Sequence, residues 1–396
     1  MARLAIEGAM GSCSAWRAAC IAVLLLSLAG CGVFEPQQKT AGTPPPSPPR
    51  PPGLPPLATH TFAFDPKTVG VVGVLQVTYA RHEDTLPDIA RRFNLGFDEI
   101  TRANPGVDPW LPGEGTRIVL PTQFVLPDAP TEGLVINVAA LRAFYYPTAA
   151  KGEQRTVVTF PIGIGKIGWA TPLGTTTIVS KRKDPYWTPP ESVRKEHEAE
   201  GDILPARVPP GPDNPLGAYA MNLGWPSYLI HGTNKPAGVG LRASHGCIRM
   251  YPEDIATLFD SFAIGTKVTV VDQPVLYRWQ SDSLYVQSYP LHLENEEDTA
   301  SEKKPVFKES MLSRMFQRAK PHGGQIDQAL TEQVVNEQRG VAVPVTRAGL
   351  SYDGYVTASR LVENELPAGA NWDGQDEPVA DAPREPVAIS GEQGGR

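Results

Sequence analysis

A thiol and two imidazoles lie close together in one stretch: His231-Gly232-Thr233, a glycine-bearing spacer, then Ser244-His245-Gly246-Cys247-Ile248-Arg249. A cysteine becomes a working nucleophile when a nearby base or cation draws off its proton. Gly246 lets the backbone turn tightly beside the sulfur, and the N–H groups of Gly246 and Cys247 could receive a developing oxyanion. Either histidine could serve as base, because spacing alone does not choose between them. Arg249 is a fixed cation suited to a substrate carboxylate, or to a structural ion pair. Ser244 could bond within its loop or to substrate, and Arg242 joins it as a candidate substrate contact. The rival chemistry is a zinc site, since His231, His245 and Cys247 are all zinc-ligand types. This stretch offers no fourth ligand, so no metal or other cofactor is expected.

The cysteines set the compartment. The chain has 4 of them: Cys13, Cys20, Cys31 and Cys247. Arg3 and Arg17 precede an apolar run, Ala18 to Leu28, and then Ala29-Gly30-Cys31. That order predicts a secretory signal over residues 1–30, too short to be a membrane span. Leu28-Ala29-Gly30-Cys31 resembles a bacterial lipobox, which implies that Cys31 is lipidated. Gly32, where Asp would signal inner-membrane retention, points to the periplasm with an outer-membrane anchor. Cys247 is then the unpartnered thiol of the mature chain, a hazard in an oxidising compartment unless buried or used.

The full pattern, His-Gly-Thr followed at a set distance by Ser-His-Gly-Cys-Ile-Arg, resembles the L,D-transpeptidases, cysteine enzymes of peptidoglycan cross-linking. The resemblance implies catalytic roles for Cys247, His231, Gly232, His245 and Gly246. His231 would act as base, steadied by the Gly232 carbonyl. It also implies a reaction: Cys247 attacks a stem tetrapeptide, D-alanine leaves, and an amine resolves the thioester. The acceptor would be another stem, giving a 3-3 cross-link, or a lysine of an envelope lipoprotein. Two alternatives stand beside this: an L,D-carboxypeptidase or amidase at the same site, and a non-catalytic wall-binding lipoprotein.

The elements that must position these residues are mainly β. Leu134 to Val138, Phe144 to Tyr146, Val157 to Phe160 and Thr175 to Val179 are short β-branched or aromatic runs separated by Gly, Pro, Asn or Lys. Without long crossover helices they argue for a sandwich or barrel rather than a doubly wound sheet, and the catalytic domain is placed at 130–273. Tyr228-Leu229-Ile230 reads as the strand that delivers His231. Pro252 opens a helix with Ile255, Leu258, Phe259 and Phe262 at helical spacing, closed by Gly265 before a strand over Lys267 to Val271. Residues 181–216 break the β pattern with a charged helical stretch and a proline-rich loop, expected to form a lid.

Upstream, residues 72–122 read β-α-α-β: a strand at Gln76 to Tyr79, a helix entered by Thr85-Leu86-Pro87-Asp88, a second over Phe97 to Ala103, and a strand at Thr116 to Leu120. The order resembles the LysM module, which implies binding of N-acetylglucosamine-containing glycan; Glu83-Asp84 stands where that family has Gly-Asp. Residues 31–60 are proline-rich and form an extended linker. Residues 274–346 are expected to form a C-terminal subdomain and 347–396 a largely disordered tail. A net charge of −7 carries no basic face for nucleic acid. The partners implied are peptidoglycan stem peptides, an envelope lipoprotein as acceptor, and the membrane through the lipid.

Overall fold

A computed structural model describes residues 60–290, 313–315, 317 and 325–366. The signal segment with Cys31, the linker over 31–59 and residues 367–396 lie outside them.

The fold is mainly β and built on a nine-stranded mixed sheet. Its order is Thr61–Ala63, Thr156–Pro161, Arg142–Tyr146, Gly133–Asn137, Lys267–Val271, Gly174–Lys183, Tyr219–Leu223, Leu229–His231 and Ile248–Arg249. Neighbours are antiparallel except at two places. Gly133–Asn137 runs parallel to Lys267–Val271, and Leu229–His231 runs parallel to Ile248–Arg249. The second pairing closes across the excursion that separates His231 from Cys247.

Both faces of the early strands are apolar, and the packing gives the reason. Leu134, Ile136, Ala143 and Tyr145 enter the core of the catalytic sheet, together with Ile255, Leu258, Phe259 and Phe262. Val135, Phe144 and Tyr146, one position out of phase, enter a second core with Leu86, Ile89, Phe93 and Ile100 of the β-α-α-β unit. Alternation along a strand sends successive side chains to opposite faces, so a sheet covered on both sides reads as a continuous apolar run. The helix Pro252–Leu258 ends earlier than its spacing suggests. Turns carry Phe259 and Phe262 onward, and Gly265, at φ +88°, makes the bend into Lys267–Val271.

The β-α-α-β unit has Gln76–Tyr79 antiparallel to Arg117–Leu120, with helices Leu86–Arg92 and Phe97–Ala103 between them. Thr85 and Asp88 form a reciprocal capping box, and Pro87 occupies the first turn, where its missing N–H costs nothing. The unit is bolted to the catalytic sheet by charge. Arg142, 0% exposed, donates to both oxygens of Glu99 at 2.6 and 2.8 Å and to the Asn94 carbonyl at 2.7 Å. Arg91 makes a second forked contact with Glu253, at 2.8 and 3.0 Å. The N–H groups of Phe97 and Asp98 donate to the Val239 and Gly240 carbonyls in the loop between His231 and Cys247. A Cβ on Gly240 would lie 2.4 Å from the Gly96 Cα, so the two glycines set how closely the unit approaches that loop.

The C-terminal region holds an antiparallel pair, Val275–Gln280 with Ser283–Ser288, and a helix Gln328–Glu337. One expectation needs correcting: the tail does not begin at 347. A helix Tyr352–Thr357, capped by Ser351, leads to Arg360–Leu361, which pairs in parallel with Gln76–Val77. The reason is an open sheet edge. Gln76–Tyr79 is paired on one side by Arg117–Leu120, and Arg360–Leu361 covers the other. Asn364 then donates to the Asp84 carboxylate at 2.6 Å.

Candidate active site

The parallel pairing of Leu229–His231 with Ile248–Arg249 builds the site. Ile230 faces Ile248 across the ladder and both point into the core, at 0% and 1% exposure. Alternation therefore turns His231 and Arg249, registered opposite each other, to the other face. Cys247, two positions before Arg249, lies just outside the ladder and within reach of the Arg249 charge. The cysteine's sulfur lies 3.7 Å from the Ser227 carbonyl, in the turn leading to the histidine strand. Beside Ser227 opens a depression of about 590 Å3 lined in part by Arg182, Asn222, Trp225 and Pro226.

His231 is buried, and its Nδ1 sits 2.6 Å from the Gly232 carbonyl. A carbonyl only accepts, so Nδ1 carries the proton and Nε2 is left as the basic nitrogen. Gly232 is held by its N–H to the Tyr219 carbonyl at 3.0 Å, and a Cβ there would press on the Leu216 carbonyl and Ile255 at 3.3–3.4 Å. Burial, helped by the Arg249 charge, pulls the imidazole down to about 3. Burial also pushes the Cys247 thiol up, although a hydrogen bond from the Leu229 backbone and the Arg249 charge pull the other way. At rest the pair is therefore neutral thiol and neutral imidazole, not a standing thiolate. The base must act during attack.

That arrangement predicts the pH dependence of alkylation. Iodoacetamide should modify Cys247 at a rate that rises about tenfold per pH unit from pH 5 to 8, following the thiolate fraction. A flat rate across that range would reveal a preformed ion pair and contradict this picture.

The loop around the sulfur is held by short-range bonds. Gly246 sits at φ +99°, and a Cβ there would come within 2.9 Å of the Tyr228 ring. Its carbonyl accepts from Thr171 at 3.0 Å. Ser244, 3% exposed, donates to the Cys247 carbonyl at 2.5 Å, so its proton is used inside the loop. Arg242 donates through Nε to the Gly165 carbonyl at 3.4 Å. Arg249 has no carboxylate partner among the described residues, and its buried Nε has no hydrogen-bond partner at all. It is thus a cation beside the sulfur that no carboxylate among the described residues neutralises. Among the described residues no group of three or more His, Cys, Asp or Glu side chains converges as a metal site would need.

His245 is placed differently from His231. Its Nε2 lies 2.6 Å from Glu196 Oε2, and the edge of Trp169 packs against its ring at 5.0 Å. Glu196 comes from the helix Glu191–Ala199 of the 181–216 excursion, so that segment does reach the site. Glu196, Thr171, Trp169 and Tyr228 were not singled out from sequence. Each is an ordinary residue in its local stretch, and only the chain's path brings it to the cysteine.

A mainly β scaffold thus carries a half-buried thiol, a buried imidazole with a fixed tautomer on the strand paired beside it, and a guanidinium that meets no carboxylate among the described residues. Residues 131–270 match the YkuD family, described as the L,D-transpeptidase catalytic domain. A Salmonella typhimurium protein named "Probable L,D-transpeptidase ErfK/SrfK" is 39% identical over 269 residues, covering 67% of this chain and 84% of its own length. The Escherichia coli proteins named "Probable L,D-transpeptidase YcfS" and "Probable L,D-transpeptidase YbiS" are 36% identical over 301 residues and 40% over 278. Those matches cover 75% and 69% of this chain, and 91% and 88% of their own lengths. The chain belongs to the L,D-transpeptidase family and is an enzyme of that class.

Proposed function

We propose that the protein transfers peptidoglycan stem peptides through a thioester on Cys247. His231 Nε2 takes the thiol proton as sulfur attacks the carbonyl of the third stem residue, an L-centre of diaminopimelate. The N–H groups of Gly246 and Cys247 receive the oxyanion. His231, now protonated, returns the proton to the departing D-alanine amine, as in the serine-protease triad but with the Gly232 carbonyl as third member. An amine acceptor, either another stem peptide or a lysine on an envelope lipoprotein, then releases the acyl group as an amide. The observation that supports the reading is the parallel register, which pairs His231, its tautomer fixed, with Arg249, whose charge acts on the sulfur. Intact-mass measurement after incubation with a stem tetrapeptide tests it: Cys247 should gain the donor mass less D-alanine. Adding stem and lipoprotein amines identifies the acceptor, and release to water alone would make the protein a carboxypeptidase.

In this reading Arg249 receives a donor carboxylate. Arg249→Gln should then lower kcat/KM for a carboxylate donor by about tenfold to a hundredfold, with little further loss on the amidated donor. An equal loss on both donors would return Arg249 to a structural role. Export to the periplasm, lipidation of Cys31 and outer-membrane anchoring complete the proposal. In it the proline linker lifts the folded part from the membrane, and the LysM-like unit holds glycan near the cleft.

A further inference from the structure

His231 and His245 both precede Cys247 in sequence, but their surroundings differ. His231 is 4% exposed and committed through Nδ1 to a backbone carbonyl. The His245 side chain is 23% exposed, and a carboxylate that is itself 28% exposed holds its Nε2. Glu196 is shared: one oxygen meets His245, and the other meets the ammonium of Lys166. Three segments therefore meet at one carboxylate: the Cys247 loop, the turn after Ile164–Gly165, and the excursion helix. The Lys166 bond, then that of His245, keeps the Glu196 carboxyl below its ordinary range, so it is charged. A carboxylate only accepts, which places the His245 proton on Nε2 and leaves Nδ1 as an acceptor. Nδ1 has no protein partner among the described residues. Burial outweighs the carboxylate and lowers the imidazole from its usual value, so the ring is neutral at pH 7.

We propose that Glu196 is a positioning residue for the second half-reaction, holding His245 so that Nδ1 takes the proton of an incoming acceptor amine. The inference rests on the acyl-transfer reading above. Arg249 suits an anionic donor, whereas the Glu196 oxygens accept from N–H donors. Lys166 already shows a primary ammonium seated on that carboxylate. In the step itself, a neutral amine nitrogen bonds to the thioester carbonyl carbon and the C–S bond breaks. The proton lost by nitrogen passes to His245 Nδ1, and sulfur leaves as thiolate. The imidazolium then returns that proton to the thiolate, which restores thiol and neutral ring.

The two halves can be measured apart on the full chain. Acylation is followed by intact mass with a stem tetrapeptide. The isolated acyl-enzyme is then mixed with an amine acceptor or with buffer. Glu196→Gln should acylate at close to the wild-type rate, while aminolysis falls about tenfold or more and hydrolysis changes little. The acceptor KM should rise, and Glu196→Asp should recover part of the aminolysis. Acylation slowed as much as aminolysis would mean a general loss of site structure and overturn the proposal. So would aminolysis unchanged in Glu196→Gln. A wild-type protein that forms no acyl-enzyme is a different failure, because it removes the acyl-transfer reading before Glu196 is tested.

Discussion

Cys247→Ala is expected to abolish acyl transfer, lowering the rate by about four to six orders of magnitude, as removal of a covalent nucleophile does elsewhere. The protein should remain folded with an unchanged melting curve, because the side chain is only half-buried and alanine differs from cysteine by the loss of the sulfur alone. The two readouts separate chemistry from folding. Cys247→Ser sharpens the test: a hydroxyl in the same place is far harder to ionise than a thiol. Serine should therefore be nearly as inactive as alanine. Donor turnover by Cys247→Ala at more than a hundredth of the wild-type rate would move the nucleophile elsewhere and end the thioester account.

The second large effect is on stability and lies far from the sulfur in sequence. Glu99→Ala removes the only carboxylate among the described residues that meets the Arg142 guanidinium, leaving a charge 0% exposed to water. Breaking one side of a buried pair costs about 3–5 kcal/mol, since the stranded charge keeps its desolvation penalty. The same change uncaps the helix Phe97–Ala103, because Glu99 also accepts from the Gly96 N–H at 2.8 Å. A fall in Tm of roughly 10 °C is expected in thermal denaturation. Activity should fall with it, since Gly96 abuts Gly240 in the loop that leads to Cys247. The double variant Glu99→Leu with Arg142→Met should recover much of the loss, because it leaves no unpaired charge. A loss under about 1 kcal/mol for Glu99→Ala would show that water reaches Arg142 and that the bolt between the two units is weak.

Much of the local structure was readable before any coordinates. The capping hydroxyl of Thr85, the proline after it and the spacing of Ile89 and Phe93 located the first helix, because those signals act within a turn or two. The runs at Leu134 and Phe144 were recognised as strands for the same reason. Their shared burial on both faces was not readable, since a continuous apolar run does not say what covers each side. Arg360–Leu361 falls inside the 347–396 stretch expected to be a tail, because two residues carry no periodic signal. The strand exists only because Gln76–Tyr79 leaves an edge to pair with. Glu196 sat in a charged run that any solvated helix would show, and nothing local marked its oxygen as a partner for His245.

What the sequence determined by itself is the chemistry: which residue holds sulfur, which rings can take a proton, and which backbone positions must be glycine. Those are properties of residue type and near neighbours, and they survive any path the chain takes between them. Tertiary structure alone decided which imidazole is buried and which faces the excursion helix. It also decided that burial pushes the thiol up and that the guanidinium beside it meets no carboxylate among the described residues. Protonation and pairing depend on the desolvation and fields created by residues distant in sequence, and those exist only after the strands have met.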